Sequence, residues 1–188
     1  MSSVNMKEVL FGRFEDVPMY YFGAYHPKRG GNNPNFDEFS QFILDFKDGK
    51  PEVVQLFSSS LDSLLRRSSI SLQPFAIATI PSSTKSKSHQ GFKPLIEELS
   101  KKYTIVNGAN NLLRRTASIQ PAHKGGDRGM SNHMGTLSTS SFANNLANPV
   151  VLLDDVTTTG NSLRAGILKL QRANVKIVAA IALGKTVI

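Results

Sequence analysis

The segment that most constrains the fold of this 188-residue chain runs from Val150 to Leu163. It begins with four apolar residues, and a short apolar run of this kind predicts a buried strand of a parallel sheet. Asp154 and Asp155 follow the run directly. Because carboxylates are rarely buried without partners, two of them at the end of a buried strand predict a site at its mouth.

A polar turn follows the two acids, and a helical pattern begins after it. The turn consists of Thr157, Thr158, Thr159, Gly160, Asn161 and Ser162. It offers hydroxyl groups and backbone N–H groups at the N-terminus of a helix, which is a favourable place for an anion. Acids beside such a turn suit a sugar phosphate, because the acids accept hydrogen bonds from hydroxyls while the N–H groups bind the phosphate. The alternative is an ordinary strand, turn and helix with an acidic residue capping the helix.

The remaining patterns alternate between strands and helices, which predicts an α/β fold with a parallel sheet. Predicted strands cover residues 19–25, 75–80, 103–106 and 175–182, and predicted helices lie near residues 35–49, 51–66, 91–103 and 162–172. In open parallel sheets, ligands bind at the carboxyl ends of the strands. The loops at residues 81–88 and 154–162 both follow predicted strands, so we expect them at the same edge of the sheet.

Composition limits the class of protein without identifying it. Hydrophobic residues make up 40% of the chain, enough for a packed domain, and no change in composition marks a second one. The absence of cysteine excludes disulfides and thiolate metal sites. With no signal-peptide core and no apolar run of about 20 residues, we expect no membrane contact and a cytoplasmic location. The four histidines lack the spacing of a metal site and are predicted to be surface or loop residues.

Most of the positive charge lies in one part of the sequence. Between Pro81 and Arg128 there are nine lysines and arginines against three acids, a net charge of +6 out of the chain's +8. This segment favours an acidic partner, such as a phosphate group or the backbone of a nucleic acid, although a basic solvated surface is the ordinary alternative. Lys101 and Lys102 are predicted to form a surface pair at a helix C-terminus. The candidates for a mobile cationic loop are Arg114, Arg115, Lys124 and Arg128.

The stretch from Leu152 to Ser162 resembles the phosphoribosyl pyrophosphate (PRPP) signature of type I phosphoribosyltransferases. In that family an apolar strand leads into two acids and then into a turn rich in threonine and glycine. The resemblance implies the type I phosphoribosyltransferase fold, an α/β domain over residues 1–188 with a parallel sheet of about five strands flanked by helices and a small variable hood. Residues 1–35 and 107–148 are expected to contribute the hood and a mobile loop.

The resemblance also implies a reaction and roles for individual residues. Such an enzyme transfers the phosphoribosyl group of PRPP to a nucleobase or another nitrogen nucleophile and releases pyrophosphate. Asp154 and Asp155 are then the catalytic residues, which accept hydrogen bonds from the ribose hydroxyls and favour the developing positive charge. One of them also binds Mg²⁺, directly or through water. The turn at residues 157–162 binds the 5-phosphate.

The pyrophosphate group needs a second set of donors. Ser82, Ser83, Thr84 and Lys85 match the position of the family's pyrophosphate-binding loop, since they directly follow a predicted strand. Arg115, from the basic segment, is a further candidate for binding the pyrophosphate group. The alternative for residues 82–85 is a solvated turn.

Several weaker segments resemble the ComF-like branch of the family, which is associated with competence. These segments, in the order in which that branch has them, are residues 42–49, 80–81, 89–99, 113–120 and 128–132. Two departures matter: the cysteine zinc element of the branch is absent, and Lys93 and Pro94 replace an asparagine and a glutamine. Thr158 stands where the branch that uses 6-oxopurines has an acid, which argues against such a base.

The ComF resemblance leaves alternatives to an enzyme open. One is a non-catalytic protein that binds single-stranded DNA during DNA uptake, and another is a regulator that binds PRPP as a signal without turning it over. The basic segment favours the first of these, but Phe92 and Tyr103 are its only aromatic residues for stacking on bases. The acceptor and the oligomeric state also stay open, a homodimer being one option.

Overall fold

A five-stranded sheet forms the centre of the protein. The computed structural model describes residues 6–84, 89–106, 111–119 and 129–187. The strands among these residues are β1 (Val9–Phe14), β2 (Val17–Tyr25), β3 (Ala76–Thr79), β4 (Leu113–Arg115), β5 (Leu137–Thr139), β6 (Val150–Thr157) and β7 (Ile177–Thr186). The order in the main sheet is β1-β2-β7-β6-β3, with β1 antiparallel to β2 and the other four strands parallel to one another. The predicted α/β architecture with a sheet of about five strands flanked by helices is therefore confirmed, although the sheet is mostly rather than wholly parallel.

Helices pack on both faces of this sheet. They are α1 (Glu38–Lys47), α2 (Pro51–Arg66), α3 (Phe92–Ser100), α4 (Met130–Thr136) and α5 (Asn161–Arg172), with short 3₁₀ turns at Arg29–Gly31, Ser69–Leu72 and Ser141–Asn145. α1 begins after Asp37, whose carboxylate accepts a hydrogen bond from the Ser40 N–H (2.8 Å). α2 begins with Pro51, which is favoured there because the first N–H of a helix has no helical partner. No helix in the described part of the chain is long and apolar enough to cross a membrane.

Two apolar cores lie on opposite faces of the sheet. On one face α1, α2 and α3 pack through aromatic side chains, with the Phe46 ring centroid 5.4 Å from that of Phe57 and 5.1 Å from that of Phe92. On the other face α5 packs through aliphatic side chains. Alternate side chains of β6 pack into the two cores, since Leu152 faces α5 and Leu153 faces the aromatic core. This alternation also sets the layer that each side chain at the end of β6 faces.

The predicted strand–helix–strand unit is formed by β6, α5 and β7. β6 and β7 are adjacent and parallel, with Leu152 paired to Ala180 and Thr157 paired to Lys185. Because the pairing continues to the end of β6, β7 extends to Thr186, beyond the predicted end at residue 182. The unit brings the two acids and the polar turn to the carboxyl edge of the sheet.

The N-terminal part of the sheet differs from the prediction. β1 has no counterpart among the predicted elements, and it joins β2 through a turn at Glu15 and Asp16, whose φ values are 47° and 63°. Positive φ at both positions is typical of tight hairpin turns, but the Asn-Gly or Asp-Gly pair that usually reveals such a turn is absent. The strands β1 and β2 belong to the main sheet, although the resemblance assigns residues 1–35 to the hood. The strand predicted at residues 103–106 is reduced to a single bridge between Phe75 and Ile105.

The polar region at residues 107–148 contains a second, two-stranded sheet. β4 pairs with β5 in an antiparallel arrangement, and α4 leads directly into β5. Leu113 is buried in the core beside α5, which anchors the small sheet to the rest of the protein. The prediction that Arg114 and Arg115 lie in a mobile cationic loop is therefore wrong, because both residues lie in β4.

Candidate functional site

A cleft of about 920 Å³ opens at the carboxyl edge of the main sheet. It is lined by the ends of β2, β6 and β7, by the loop after β3, and by residues from α1 and β4. The loop at residues 154–162 and the described part of the loop at residues 81–88 therefore meet in one cleft. The predicted site residues in its lining are Ser82, Ser83, Thr84, Arg115, Asp154, Asp155, Thr157, Thr158, Thr159, Asn161 and Ser162. Lys85, predicted for the same site, lies outside the described residues.

The two adjacent acids of β6 have different surroundings, because successive side chains of a strand point to opposite faces. Asp154 faces α5, where Ser162 Oγ donates a hydrogen bond to its Oδ2 (2.6 Å). Asp155 faces the layer of α1, where Lys47 Nζ lies 2.9 Å from its Oδ2. The resemblance implies the same role for both acids, whereas their contacts distinguish them.

Asp154 is nearly fully buried, and both of its oxygens accept hydrogen bonds from the protein. Besides the bond from Ser162, its Oδ1 accepts a hydrogen bond from the backbone N–H of Asp155 (2.9 Å). Burial and the neighbouring charge of Asp155 raise the pKa of Asp154 well above its usual value. Asp154 therefore ties the end of β6 to the first turn of α5.

Asp155 is ionised at neutral pH. Burial by itself would raise its pKa, but the charges of Lys47 and His89 outweigh burial and lower the pKa to about 2. His89 Nδ1 lies 3.7 Å from the same carboxylate oxygen that binds Lys47. Burial would lower the pKa of Lys47, but the charge of Asp155 raises it, so both partners of this ion pair are charged at neutral pH.

Lys47 and His89 reach the ionised acid because α1 ends against the segment that precedes α3. The Gln90 N–H donates a hydrogen bond to the Lys47 carbonyl (3.1 Å). Gly91 packs so closely on α1 that a Cβ there would overlap the Phe46 carbonyl oxygen and lie 2.8 Å from the Phe46 ring. A residue without a side chain allows this approach, which directs the side chains of Lys47 and His89 to one carboxylate.

Lys47 is a site residue that none of the sequence motifs assigns. It lies within residues 42–49, a segment that resembles the ComF-like branch. The resemblance therefore drew attention to this segment but assigned no function to the lysine. His89 is a loop residue, as predicted, but its side chain is only 18% exposed and lines the cleft. The prediction that His133 is a surface or loop residue is wrong, because it is buried in α4 and lines the cleft.

The polar turn between β6 and α5 is closed by its own hydrogen bonds. The Gly160 N–H donates to Thr157 Oγ1 (3.0 Å), and Gly160 has a φ of +85°, a left-handed conformation that favours glycine. The helical hydrogen bonds of α5 begin with the Arg164 N–H, which donates to the Gly160 carbonyl (2.9 Å). The N-terminus of α5 therefore faces the cleft, an arrangement that suits a phosphate.

The loop after β3 is held by a buried arginine from β4. Arg115 donates from Nε to the Ser82 carbonyl (3.2 Å) and from Nη2 to the Pro81 carbonyl (3.1 Å). Its Nη1 donates to Thr136 Oγ1 (2.8 Å). Burial lowers the pKa of the Arg115 guanidinium, and the charge of Asp154 offsets part of this shift. Arg115 thus fixes the start of the predicted pyrophosphate loop and adds a cation to the cleft.

Apart from Arg115, the cations of the basic segment that the structure describes do not line this cleft. Lys101 and Lys102, the predicted surface pair, form ion pairs with acids of α3 and α2. Arg114 is exposed on the opposite side of β4 from its neighbour Arg115. Lys124 and Arg128, predicted for a cationic loop, lie outside the described residues.

The sequence matches no protein-family model, and no curated protein is significantly similar to it. The fold and the cleft define an α/β protein with a polar site at the carboxyl edge of a mostly parallel sheet. A more specific assignment rests on the motif and on the chemistry of the cleft.

Proposed function

We propose that this protein is a PRPP-dependent phosphoribosyltransferase with the type I fold. The observation that carries the proposal is the meeting of two polar loops, residues 82–84 and 154–162, in one cleft with a buried arginine and an ionised acid. PRPP carries a phosphate and a pyrophosphate on a ribose ring with two free hydroxyls. The cleft offers two sets of anion-binding donors and a carboxylate, which suits such a ligand.

Each group of PRPP has a counterpart in the cleft. The turn at residues 157–162 binds the 5-phosphate through backbone N–H and hydroxyl groups. Asp155 accepts hydrogen bonds from the ribose hydroxyls, and Asp154 holds the turn in place through Ser162. Residues 82–84 bind the pyrophosphate group, with Arg115 supplying positive charge.

The reaction itself needs little covalent chemistry from the protein. A nitrogen of the acceptor forms a bond to the anomeric carbon of the ribose, while the bond from that carbon to the pyrophosphate oxygen breaks. The pyrophosphate leaves with the bonding electron pair, and the acceptor nitrogen loses a proton to solvent. Positive charge develops on the ribose ring during this exchange, and the ionised Asp155 stabilises it. Positioning and electrostatics therefore supply most of the catalysis.

The donors of the cleft are compatible with Mg²⁺. This ion prefers oxygen ligands, keeps several waters, and is usually bound by one or two carboxylates together with substrate phosphate oxygens. The described residues contain no group of three or more metal-ligating side chains. Asp155 and the oxygens of the pyrophosphate would therefore hold the ion, with Asp154 contributing through water. The ion would supply positive charge that neutralises the leaving group.

Calorimetric titration with PRPP and Mg²⁺ tests the proposal. We expect the wild-type protein to bind PRPP and Asp155→Asn to bind it at least about tenfold more weakly, because a charged hydrogen-bond acceptor for the ribose is lost. Asp45→Asn is the matched control, since it removes the same charge from an acid of α1 that pairs with Lys50 and does not line the cleft. Equal affinities of the two variants, or a wild-type protein that does not bind PRPP, would contradict the proposal.

Turnover needs a second assay. Release of pyrophosphate from PRPP is measured with a panel of nucleobases and other nitrogen nucleophiles, and the compound that stimulates release is the acceptor. Binding of PRPP without release for any member of the panel would favour a PRPP-sensing regulator instead.

A further inference from the structure

Lys47 is a cation of the cleft that neither polar loop contains. It stands at the C-terminal end of α1, with its Nζ 2.9 Å from Asp155 Oδ2 and 5.7 Å from the centre of the Tyr25 ring. Its side chain is 31% exposed, whereas that of Asp155 is only 10% exposed. Lys47 is therefore the more exposed partner of the ion pair, and it lines the cleft, where an incoming anion can reach it.

The layer in which Lys47 lies indicates which part of a ligand it meets. The turn at residues 157–162 leads into α5 on one face of the sheet, and Asp154 faces that side. Lys47 and Asp155 lie on the side of α1, and His89, in the segment that leads into α3, contacts the same carboxylate. A ligand whose phosphate is held by the turn therefore presents its far end to Lys47.

Binding of such a ligand allows the ion pair to exchange partners. A pyrophosphate group carries more negative charge and more acceptor oxygens than one carboxylate, so it is a stronger partner for an ammonium group. Asp155 then accepts hydrogen bonds from the ribose hydroxyls in place of its contact with Lys47. Both charged groups then stay paired, which matters because an unpaired buried charge is strongly unfavourable.

We propose that Lys47 is a pyrophosphate-binding residue that leaves Asp155 when PRPP binds and then contacts the pyrophosphate group. This inference rests on the proposed function and adds a contact from α1 to those of the two polar loops. In the competing role, Lys47 stays on Asp155 and only keeps that carboxylate ionised and oriented.

Three ligands separate these two roles: PRPP, inorganic pyrophosphate and ribose 5-phosphate, each titrated calorimetrically with Mg²⁺. We expect Lys47→Met to weaken the binding of PRPP and pyrophosphate at least roughly tenfold and to change that of ribose 5-phosphate by less than about twofold. Lys50→Met is the matched control, because Lys50 pairs with Asp45 and does not line the cleft. An equal loss for all three ligands, or an unchanged affinity for pyrophosphate, would overturn the inference.

A double-mutant cycle keeps the test valid if Lys47→Met folds poorly with an unpaired carboxylate. Asp155→Asn and the double variant Lys47→Met/Asp155→Asn both lack that carboxylate. We expect the double variant to bind pyrophosphate at least roughly tenfold more weakly than Asp155→Asn, because Lys47→Met removes the direct contact even where the carboxylate is already absent. Equal affinities would mean that Lys47 acts only through Asp155, and the inference would be wrong.

The same titrations distinguish failure of this inference from failure of the proposed function. A wild-type protein that binds neither PRPP nor ribose 5-phosphate would refute the proposed function. The role of Lys47 would then be refuted as well, because it depends on that function. A wild-type protein that binds both, with Lys47→Met equal to it for every ligand, would refute the role of Lys47 alone.

Discussion

Lys47 Nζ and Asp155 Oδ2 lie 2.9 Å apart, and this ion pair joins the end of α1 to the end of β6. The neighbouring acid, Asp154, instead accepts hydrogen bonds from Ser162 Oγ and from the Asp155 N–H. The pKa values of these two adjacent aspartates are therefore shifted in opposite directions, because β6 directs their side chains to different layers. This difference makes the two acids distinguishable by experiment.

Asp155 should make the stability of the protein fall with pH in the acid range. Its pKa is lowered to about 2, so its ionised form stabilises the fold above the unfolded pKa of about 4. This contribution, on the order of 2 kcal/mol, is lost as the pH falls from about 4 to about 2. Urea unfolding at about pH 6 and about pH 3 should show a smaller loss of unfolding free energy for Asp155→Asn than for the wild type. Identical losses would be inconsistent with a lowered pKa at this position.

Asp154→Asn should be at least as stable as the wild type at neutral pH. Because the pKa of Asp154 is raised, the folded protein holds a proton that the unfolded chain loses, and stability falls as the pH rises from about 4 toward the raised value. Asparagine is uncharged, and it can accept from the Asp155 N–H and donate to Ser162 Oγ. Thermal unfolding at neutral pH measures the effect.

Asp154→Ala is the control for this substitution. It removes both side-chain hydrogen bonds of Asp154 and should lower the free energy of unfolding by about 2 kcal/mol. A comparable loss in Asp154→Asn would show that Asp154 is needed as an anion.

Arg115→Met should loosen the loop after β3. The substitution leaves the Pro81 and Ser82 carbonyls without their guanidinium donors and should lower the free energy of unfolding by about 2 kcal/mol. Pyrophosphate binding should weaken at the same time, because the cleft loses a cation. Arg114→Met is the matched control, since Arg114 is the exposed neighbour in β4, and its effect on stability should stay within about 0.5 kcal/mol. Urea unfolding and calorimetry supply both readouts, and equal effects of the two substitutions would refute the assigned contacts.

Gly91→Ala should separate α1 from the segment that carries His89. The added Cβ would overlap the Phe46 carbonyl oxygen, so we expect a loss of about 1–3 kcal/mol in unfolding free energy. PRPP affinity should fall too, because Lys47 moves with the end of α1. In Gly135→Ala, by contrast, the new Cβ meets no atom within 4 Å, and a helical alanine should be neutral or slightly stabilising. Wild-type stability and affinity in Gly91→Ala would show that the close packing is not required.

Elements whose signals are local could be predicted from the sequence. α2 begins at Pro51, and the unit of β6, α5 and β7 lies where apolar periodicity indicates it, because these patterns depend on neighbouring residues only. β1 and the small sheet of β4 and β5 could not be predicted in this way. Such short strands are stabilised by pairing with partners elsewhere in the chain, and the turn at Glu15 and Asp16 lacks the usual residues.

The candidate site likewise has one part that the sequence predicts and another that it does not. The two acids and the turn up to Ser162 lie in one continuous segment, so residue types and spacing alone indicate an anion site with adjacent carboxylates. Even the different environments of Asp154 and Asp155 follow from the twofold periodicity of a strand, once the partner layers are known. Which helices form those layers depends on distant parts of the chain, so it cannot be predicted from the neighbouring residues.

The sequence by itself determined the strand, the acids and the polar turn, because hydrophobic periodicity and turn chemistry act over a few residues. Only the tertiary structure decided that Lys47, His89 and Arg115 meet this segment in one cleft. Their convergence depends on close packing between distant parts of the chain, such as Gly91 against the end of α1. Contacts of that kind form only when the layers of the fold assemble around the sheet.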